Sequence, residues 1–520
     1  MWKLLKKRIS ASSEEERPFP PLTFLRDTGR INGSRSFLKF LPPALRDFMD
    51  TRHTPLVSRS VLWPFILLTT LFAWWGLANN MTDTLLPAFK RIMSFNDGTT
   101  AWIQVVCYAL GYGCFAIPGA IFMKRFTYKA GVLLGLGMFV AGTLAFFPAQ
   151  FAYQSPSACY LIYLSAILVT FGGLAILETA CNGYVCAMGE PETAVRRLNL
   201  AQSFNPFGSL VGIVLSQVFI LSQLSPLTAE DRSLLPAAEL AQIQQSELSA
   251  VSATYAMIGL VLLATWLAIF FTRMPNIREK QDQKTKIDFF GTWKRLLRNR
   301  NYVLAVAALF FVVGSHIACW SFTVRYSMAA LDLEEIARNT PEMLRNIEPV
   351  SRIFYDFCEM AGLTGFIPKT AEQCGATFYI FSQILFIGGR FSCTGLMSRV
   401  RPSTLLMFFA LGALTCCLIV TASPNLLGVY ALVCASGFMS LMFPTIFSYG
   451  TRGLGDDTKM AGAGMVTMLC GGAILTQLQG TISDASGSIA LAYAVPAFAF
   501  FMILCYAVFV CRKLDAHQAE

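Results

Sequence analysis

The chain has 520 residues, of which 55% are hydrophobic and only 14% are charged, and its formal net charge is +10. Its mean hydropathy is +0.53. This composition excludes the water-soluble globular classes and is typical of a polytopic membrane protein.

Residues 1–60 are polar and basic, and they begin with Met1-Trp2-Lys3-Leu4-Leu5-Lys6-Lys7-Arg8. They contain no apolar core of signal-peptide length. The sequence predicts a mobile cytosolic tail here, and a basic helix lying on the membrane surface is the alternative. Neither interpretation decides the function.

Apolar runs long enough to cross a membrane recur along the rest of the chain. A helix needs about 20 apolar residues to cross a hydrocarbon core of about 30 Å. The sequence therefore predicts an all-α protein with twelve transmembrane helices, near residues 62–89, 101–123, 130–150, 158–187, 200–223, 252–272, 302–327, 375–397, 403–422, 427–449, 460–480 and 488–510.

Lysine and arginine residues cluster in alternate loops, and such loops stay in the cytosol. The clusters lie in the tail, at Lys124 to Lys129, at Arg196-Arg197, between Arg273 and Arg300, and near Arg399 and Arg452. Both termini, including the tail 512–520, are therefore predicted to be cytosolic. The positive charge follows membrane topology, and it gives no reason to expect a nucleic-acid partner.

The basic linker 274–300 divides the predicted helices into two six-helix halves, 61–273 and 301–511. Met123-Lys124-Arg125 in the first half has a counterpart in Met397-Ser398-Arg399 of the second, which is weak internal symmetry. The polar segment 329–373 predicts one or two short helices outside the membrane. We expect a passive insertion there, with a lid as the alternative.

Asp83 and Glu178 are the acidic residues that fall deep inside predicted membrane helices. A charge at the centre of such a helix costs about 2.5–3.5 kcal/mol on insertion scales, so these residues indicate a functional site. Desolvation raises the pKa of a carboxyl group, which would allow either residue to bind and release a proton. A proton-coupled carrier needs this property.

Other polar or amphipathic side chains occur near these acids or in the seventh helix: Asn79, Asn80, Gln104, Asn182, Gln202, Asn205, His316 and Trp320. Buried amides provide paired donors and acceptors for a polyhydroxylated ligand, and an indole provides a flat apolar face for a sugar ring. Interhelical hydrogen bonds that merely satisfy one another are the alternative. Arg390, in the cytosolic third of the eighth helix, is a candidate inner gate.

Five segments resemble those of the fucose, galactose and glucose:proton symporter family of the major facilitator superfamily. They are Ala78-Asn79-Asn80-Met81-Thr82-Asp83-Thr84-Leu85-Leu86-Pro87, Leu177-Glu178-Thr179-Ala180-Cys181-Asn182, Arg197-Leu198-Asn199-Leu200-Ala201-Gln202-Ser203-Phe204-Asn205, Ala318-Cys319-Trp320-Ser321 with Arg325-Tyr326, and Pro444-Thr445-Ile446-Phe447-Ser448 with Asp457-Thr458-Lys459. The similarity runs in order from about residue 62 to 510.

The resemblance implies a role for each matching residue. Asp83 would couple sugar binding to protonation, and Glu178 would be the proton acceptor. The side chains that would hydrogen-bond the sugar are Asn80, Gln202 and Asn205. This chain has Phe443 where the family pattern has tyrosine and His316 where it has glutamine, so the identity of the sugar stays open.

These observations predict a secondary active transporter that moves L-fucose or a related hexose inward with a proton by alternating access. We expect a monomer in the plasma membrane, with the sugar and the lipid bilayer as partners. A Na⁺-coupled glucose transporter of the same fold and a non-transporting sugar sensor are the alternatives. The sequence has no pattern of metal ligands or of a nucleophile with its base, so we expect neither an enzyme nor a metal site or organic cofactor.

Overall fold

The computed structural model describes residues 56–93, 103, 105–152, 155–220, 232, 234–275, 288–363, 366–368 and 371–511. The predictions for residues 1–55, for Gln104 and for the tail 512–520 lie outside these ranges. Asp83 lies in a described helix, but its side chain is outside the described part of the structure. The roles of Asp83 and Gln104 therefore stay predictions.

The described residues are mostly helical in the ranges predicted to cross the membrane. The helices before the linker are α1 (Leu62–Met93), α2 (Gly113–Arg125), α3 (Tyr128–Leu144), α4 (Pro156–Ala187), α5 (Ala194–Gln202), α6 (Phe204–Phe219) and α7 (Ala237–Phe271). The linker ends in α8 (Phe289–Arg298). After it come α9 (Arg300–Ala330), α10 (Leu333–Asn339), α11 (Pro349–Met360), α12 (Ala371–Leu396), α13 (Pro402–Ala422), α14 (Leu426–Met439), α15 (Met442–Gly450), α16 (Thr458–Val466), α17 (Cys470–Ser486) and α18 (Ala494–Tyr506).

Within the described ranges, nine helices are long and apolar enough to cross a membrane, and Tyr128–Leu144 is apolar but shorter. The count of twelve spans stays a prediction. Helix α7 begins at Ala237, well before the predicted start at residue 252. Its first turns are polar, so the apolar pattern that predicted the span begins only after them. An ion pair at 2.6 Å joins the buried side chain of Glu247 in this extension to that of Arg232, which precedes the helix.

Two of the membrane segments are broken helices, and each break is followed by a proline. Ser203 separates α5 from α6, and Pro206 lies in the first turn of α6. Residues 440 and 441 separate α14 from α15, and Pro444 lies in the first turn of α15. Proline has no amide hydrogen, so it leaves the carbonyl four residues earlier without its helical donor. The carbonyls released in this way belong to Gln202 and Ser440.

Helices α1 and α6 pack with their backbones in contact. A Cβ atom at Gly208 would lie 1.9 Å from the carbonyl oxygen of Ala73, and one at Gly76 would lie 2.0 Å from that of Asn205. Only glycine fits at such distances, and small residues of this kind are common where membrane helices pack closely. This contact positions the polar residues near the middle of α1 beside those of α5 and α6.

Candidate substrate site and inner gate

Helix α4 carries the acidic residue at the centre of the first half. Glu178 is only 7% exposed and lies one turn before Asn182, which is fully buried. Trp75 of α1 and Tyr112, at the end of the π-helical segment Val105–Tyr112, also face the Glu178 carboxylate. The indole Nε1 of Trp75 donates to the hydroxyl of Tyr112 at 2.5 Å. Three helical segments thus converge on one carboxylate.

Several polar atoms of this cluster lack a hydrogen-bond partner among the described residues. The Nε2 of Gln202 donates to the Oδ1 of Asn182 at 2.8 Å. The Oε2 of Glu178, the Nδ2 of Asn182 and the Oδ1 of Asn79 are buried without a partner. Buried polar atoms are nearly always paired in stable folds, and exceptions mark sites of function or strain. The cluster therefore keeps hydrogen-bonding capacity that a polar ligand or a proton could use.

Asn80 and Asn205 lie at the contact between α1 and α6, partly exposed. The Nδ2 of Asn80 donates to the carbonyl of Gly76 at 3.3 Å, and the Nδ2 of Asn205 donates to that of Phe72 at 3.4 Å. Both distances are long for N–H···O bonds, so both are weak. The two amides are predicted sugar contacts, and these weak bonds leave them able to rotate toward a ligand.

The second half presents an aromatic cluster. The ring centroids of Trp320 and Phe386 lie 5.0 Å apart at 84°, and the ring of His316 lies 5.6 Å from that of Trp320. The indole Nε1 donates to the hydroxyl of Ser436 at 3.1 Å, which fixes the orientation of the Trp320 ring. His316 is buried, and its Nε2 has no partner within the described part of the chain. An apolar ring beside one free polar atom suits a sugar with both a hydrophobic face and hydroxyl groups.

Phe443 lies in the first turn of α15 and is buried. Its ring stacks on that of Phe447, with the centroids 6.2 Å apart. A phenyl ring offers no hydrogen bond, so the polar contact that a tyrosine would supply is lost at this position.

Arg390 of α12 donates to both carbonyls that the prolines release. Its Nε donates to the carbonyl of Ser440 at 2.7 Å, and its Nη1 donates to the carbonyl of Gln202 at 2.8 Å. Its guanidinium also lies 4.7 Å from the centre of the Phe386 ring. Hydrogen bonds from a charged donor are shorter and stronger than neutral ones. A single buried side chain thus joins the broken helix of the first half to that of the second.

Other polar contacts between the halves lie farther toward the predicted cytosolic face. The Nδ2 of Asn199 donates to the hydroxyl of Thr445 at 3.2 Å, and the Nε of Arg196 donates to the carbonyl of Thr394 at 3.2 Å. The ammonium of Lys459 lies 5.0 Å from the centre of the Tyr128 ring. Among the described residues, the hydrogen bonds and ion pairs between the two predicted halves lie at this end, so the structure is closed there.

Asp457, immediately before α16, joins three parts of the chain at that end. Arg295 of α8 donates to both of its carboxylate oxygens, at 2.7 and 2.8 Å. Lys124 of α2 lies 3.4 Å away, and the hydroxyl of Thr292 donates at 3.2 Å. Hydrogen bonding to this carboxylate raises the pKa of Arg295 above its usual value. The linker helix therefore fastens the first half to the second.

Sequence reasoning missed several of these residues. Trp75 precedes Asn79 by four residues, so helical spacing could have indicated it, but a tryptophan fits any apolar helix. Tyr112 is the last residue of a π-helical segment that shifts its register, and no sequence signal revealed that segment. The carbonyl partners of Arg390 could have been predicted from the sequence, because Pro206 and Pro444 each leave a defined carbonyl without its helical donor. The three donors to Asp457 come from parts of the chain that are distant from it in sequence, and no sequence pattern indicated them.

A helical membrane fold, closed at its predicted cytosolic end around a central set of buried polar and aromatic residues, is typical of a secondary transporter. The chain belongs to the Major Facilitator Superfamily, whose family model matches residues 66–476. It is 34% identical to the L-fucose-proton symporter of Escherichia coli over 87% of this chain and 94% of that protein. It is 28% identical to the glucose/galactose transporter of Brucella abortus over 85% of this chain and 90% of that protein.

A solved structure shares this fold. The transporter FucP, a member of the superfamily, has been solved in the outward conformation, and it superposes on this chain with a TM-score of 0.74. The two are 32% identical, and the match covers 87% of this chain and 99% of FucP. The prediction of a major facilitator superfamily fold is confirmed, and the protein is a multi-pass membrane transporter.

Proposed function

We propose that this protein carries a monosaccharide, L-fucose or a related hexose, into the cell together with a proton. It would act as a monomer in the plasma membrane, with both termini in the cytosol and the bilayer around its two halves. The relatives named for L-fucose:proton symport and for glucose and galactose transport support this proposal. The observation that carries it is the buried carboxylate of Glu178, whose Oε2 has no partner among the described residues and lies within a cluster of amides.

Glu178 is the proposed proton acceptor. When protonated it is neutral and fits its buried position. When ionised it holds a charge that the described residues around it do not neutralise. Protonation would therefore make reorientation of the loaded carrier easier, and proton release inside would reset the carrier. Asp83, in the same half, would link sugar binding to this protonation.

The sugar would bind between the polar cluster of the first half and the aromatic cluster of the second. Asn79, Asn80, Asn182, Gln202 and Asn205 would exchange hydrogen bonds with its hydroxyl groups. Trp320 would pack against its apolar face. Gln104 is proposed as a further polar contact, and His316 and Phe443 would adjust which hydroxyl pattern is accepted.

Arg390 is the proposed inner gate. Its bond to the Ser440 carbonyl lies within the second half, so it can persist while the halves rock. Its bond to the Gln202 carbonyl joins the halves and must break before the cytosolic side can open. Release of sugar to the cytosol would thus require the guanidinium to leave the first half while staying anchored to the second.

The decisive experiment follows proton movement in weakly buffered proteoliposomes that contain the purified protein. L-fucose, D-glucose, D-galactose and D-mannose are added in turn. External alkalinisation with one sugar, abolished by a protonophore, would support proton symport and name the substrate. Silence with all four sugars, together with counterflow of a labelled sugar, would contradict proton coupling and favour Na⁺ coupling or uniport. Sugar binding without counterflow would favour a sensor.

A further inference from the structure

Helix α11 (Pro349–Met360) lies in the insertion 329–373, which contributes no residue to the site above. Its N-cap is Glu348, whose carboxylate accepts hydrogen bonds from the backbone amides of Val350 at 2.7 Å and Ser351 at 2.5 Å. The hydroxyl of Tyr430 in α14 donates to the same carboxylate. Burial raises the pKa of Glu348, but these hydrogen bonds outweigh burial and hold the pKa below its usual value. The start of α11 is therefore fixed to a membrane helix by an ionised cap.

The middle of α11 is fixed to α12. The hydroxyl of Tyr355 donates to the Oγ1 of Thr377 at 2.8 Å, and the ring centroids of Phe354 and Phe381 are 5.4 Å apart.

These contacts place α11 behind α12. Thr377 and Phe381 each precede a residue of the candidate site, Phe386 and Arg390 respectively, by nine positions, which is two and a half turns at 3.6 residues per turn. Helix α11 therefore packs on the face of α12 that points away from the site. This position argues against a lid across the sugar pathway.

That rear face of α12 is open farther along the helix. Ile384 and Gly388 follow Thr377 and Phe381 by seven residues, so they continue the same face. Ile384 is 48% exposed, and no atom lies within 4 Å of a Cβ placed on Gly388. All four residues fall within the predicted span 375–397. An open apolar face within a membrane span contacts lipid, so α11 lies at the lipid-facing side of α12.

Helix α11 has three faces. The buried face, which packs on the protein, consists of Ser351, Tyr355 and Cys358. The charged face consists of Arg352, Asp356 and Glu359, and Arg345 forms ion pairs with the last two. The third face is a stripe at i, i+3, i+7 and i+10, formed by Val350, Ile353, Phe357 and Met360. Three residues of the stripe are strongly exposed: Ile353 at 69%, Phe357 at 60% and Met360 at 82%.

We propose that α11 is an interfacial helix whose stripe of Val350, Ile353, Phe357 and Met360 inserts into the outer leaflet of the bilayer beside α12. The stripe continues the exposed apolar surface of Ile384, so one layer of lipid can cover both. The charged face would lie toward water, as in other helices that rest in a membrane surface. This inference depends on the membrane fold and not on the identity of the transported substrate.

The test compares two neighbouring positions of α11 in proteoliposomes. A fluorescent amino acid replaces Ile353 in one protein and Arg352 in the other. Both side chains are exposed, so neither replacement disturbs packing. Lipids brominated near the headgroup end of the acyl chain report contact with the bilayer, and iodide reports contact with water. Phe357 and Glu359 form a second pair, and each labelled protein must keep the thermal unfolding midpoint of the unlabelled one.

We expect brominated lipid to quench the fluorescence of the label at position 353 about threefold more than that of the label at position 352, because an interfacial helix buries its apolar face by about 5–10 Å. Iodide should show the reverse order. Equal iodide quenching at both positions would place the stripe in water and overturn the proposal. Protection of Ile353 from both quenchers would also overturn it, because another protein surface or a second copy of the chain would then cover the stripe.

Discussion

The two predicted halves contribute opposite chemistry to the centre of the molecule. The first half supplies Glu178, Asn182 and Gln202, with polar atoms that lack partners among the described residues. The second half supplies the rings of Trp320 and Phe386, which pack against one another. We propose that this difference reflects a division of labour, in which the polar half would handle the proton and the hydroxyl groups while the aromatic half would supply contact area. Substitutions in one half should then change coupling, and those in the other should change affinity.

The largest expected effect comes from replacing Glu178 with glutamine. The amide is nearly isosteric and can still hydrogen-bond a sugar, but it cannot carry a proton. We expect sugar binding and counterflow to persist while concentrative uptake collapses to an internal-to-external ratio of about one, the value without coupling. Uptake of labelled sugar under an imposed pH gradient measures this ratio. The exposed residue Glu192 provides the matched variant Glu192→Gln, which should leave the ratio unchanged, and full accumulation by E178Q would refute the role.

The second effect concerns Arg390, which belongs to the aromatic half but binds a carbonyl of the polar half. Arg390→Ala removes the bond to the Gln202 carbonyl, which in the proposed gate forms only while the cytosolic side is closed. A hydrogen bond from a charged group contributes about 1.5–3 kcal/mol, so the equilibrium should shift toward the inward-open form by roughly tenfold to a hundredfold. Distances between spin labels on the exposed residues Arg125 and Arg399, one in each half, measure that shift.

The two prolines provide matched controls for Arg390. Pro206→Ala restores an amide that competes for the Gln202 carbonyl, so it should shift the equilibrium in the same direction as Arg390→Ala, but by less. Pro444→Ala affects the Ser440 carbonyl, whose bond to Arg390 stays within one half, so it should shift the equilibrium least. Equal shifts from both proline variants would mean that Arg390 does not act through the bond between the halves.

A smaller effect is expected at Trp320. Trp320→Phe keeps an aromatic ring but loses area and the hydrogen bond to Ser436. Aromatic contacts of this kind contribute about 0.5–1.5 kcal/mol, so the Kd for the sugar should rise about fivefold while the number of protons per sugar stays the same. Isothermal titration and paired proton and sugar fluxes measure the two quantities. Trp266, which donates to the carbonyl of Leu133 away from the site, supplies the control Trp266→Phe.

The sequence predicted the fold because apolar runs of membrane length fix helices without reference to their partners. It also predicted that Glu178 and Asn182 share one face of a helix by their spacing, and the structure brings Gln202 of a neighbouring helix into contact with Asn182. Their roles in transport stay predictions. The aromatic half was harder to predict, because Phe386 cannot be distinguished from the many other apolar residues that pack a membrane helix. The contacts of Asp457 depend on three segments separated widely in sequence, and only the tertiary structure brings them together.

The smallest effect should come from Lys124, which reaches Asp457 from the first half at 3.4 Å. Arg295 holds the same carboxylate through two shorter bonds, but its side chain is 57% exposed, so solvent and salt weaken its contribution. Asp457 keeps Arg295 as a partner when Lys124 is removed, so Lys124→Met should shift the equilibrium toward the inward-open form by about 1 kcal/mol or less, and not by the roughly 3–5 kcal/mol expected when a buried charge is left unpaired. The spin labels at Arg125 and Arg399 measure it against Arg295→Met at low and high salt. Lys124 belongs to the first half and Arg295 to the linker, so the loss of Lys124 should slightly weaken closure of the cytosolic side even while Arg295 stays bound. An unchanged distance distribution would mean that the linker helix and Arg390 hold the halves together without it.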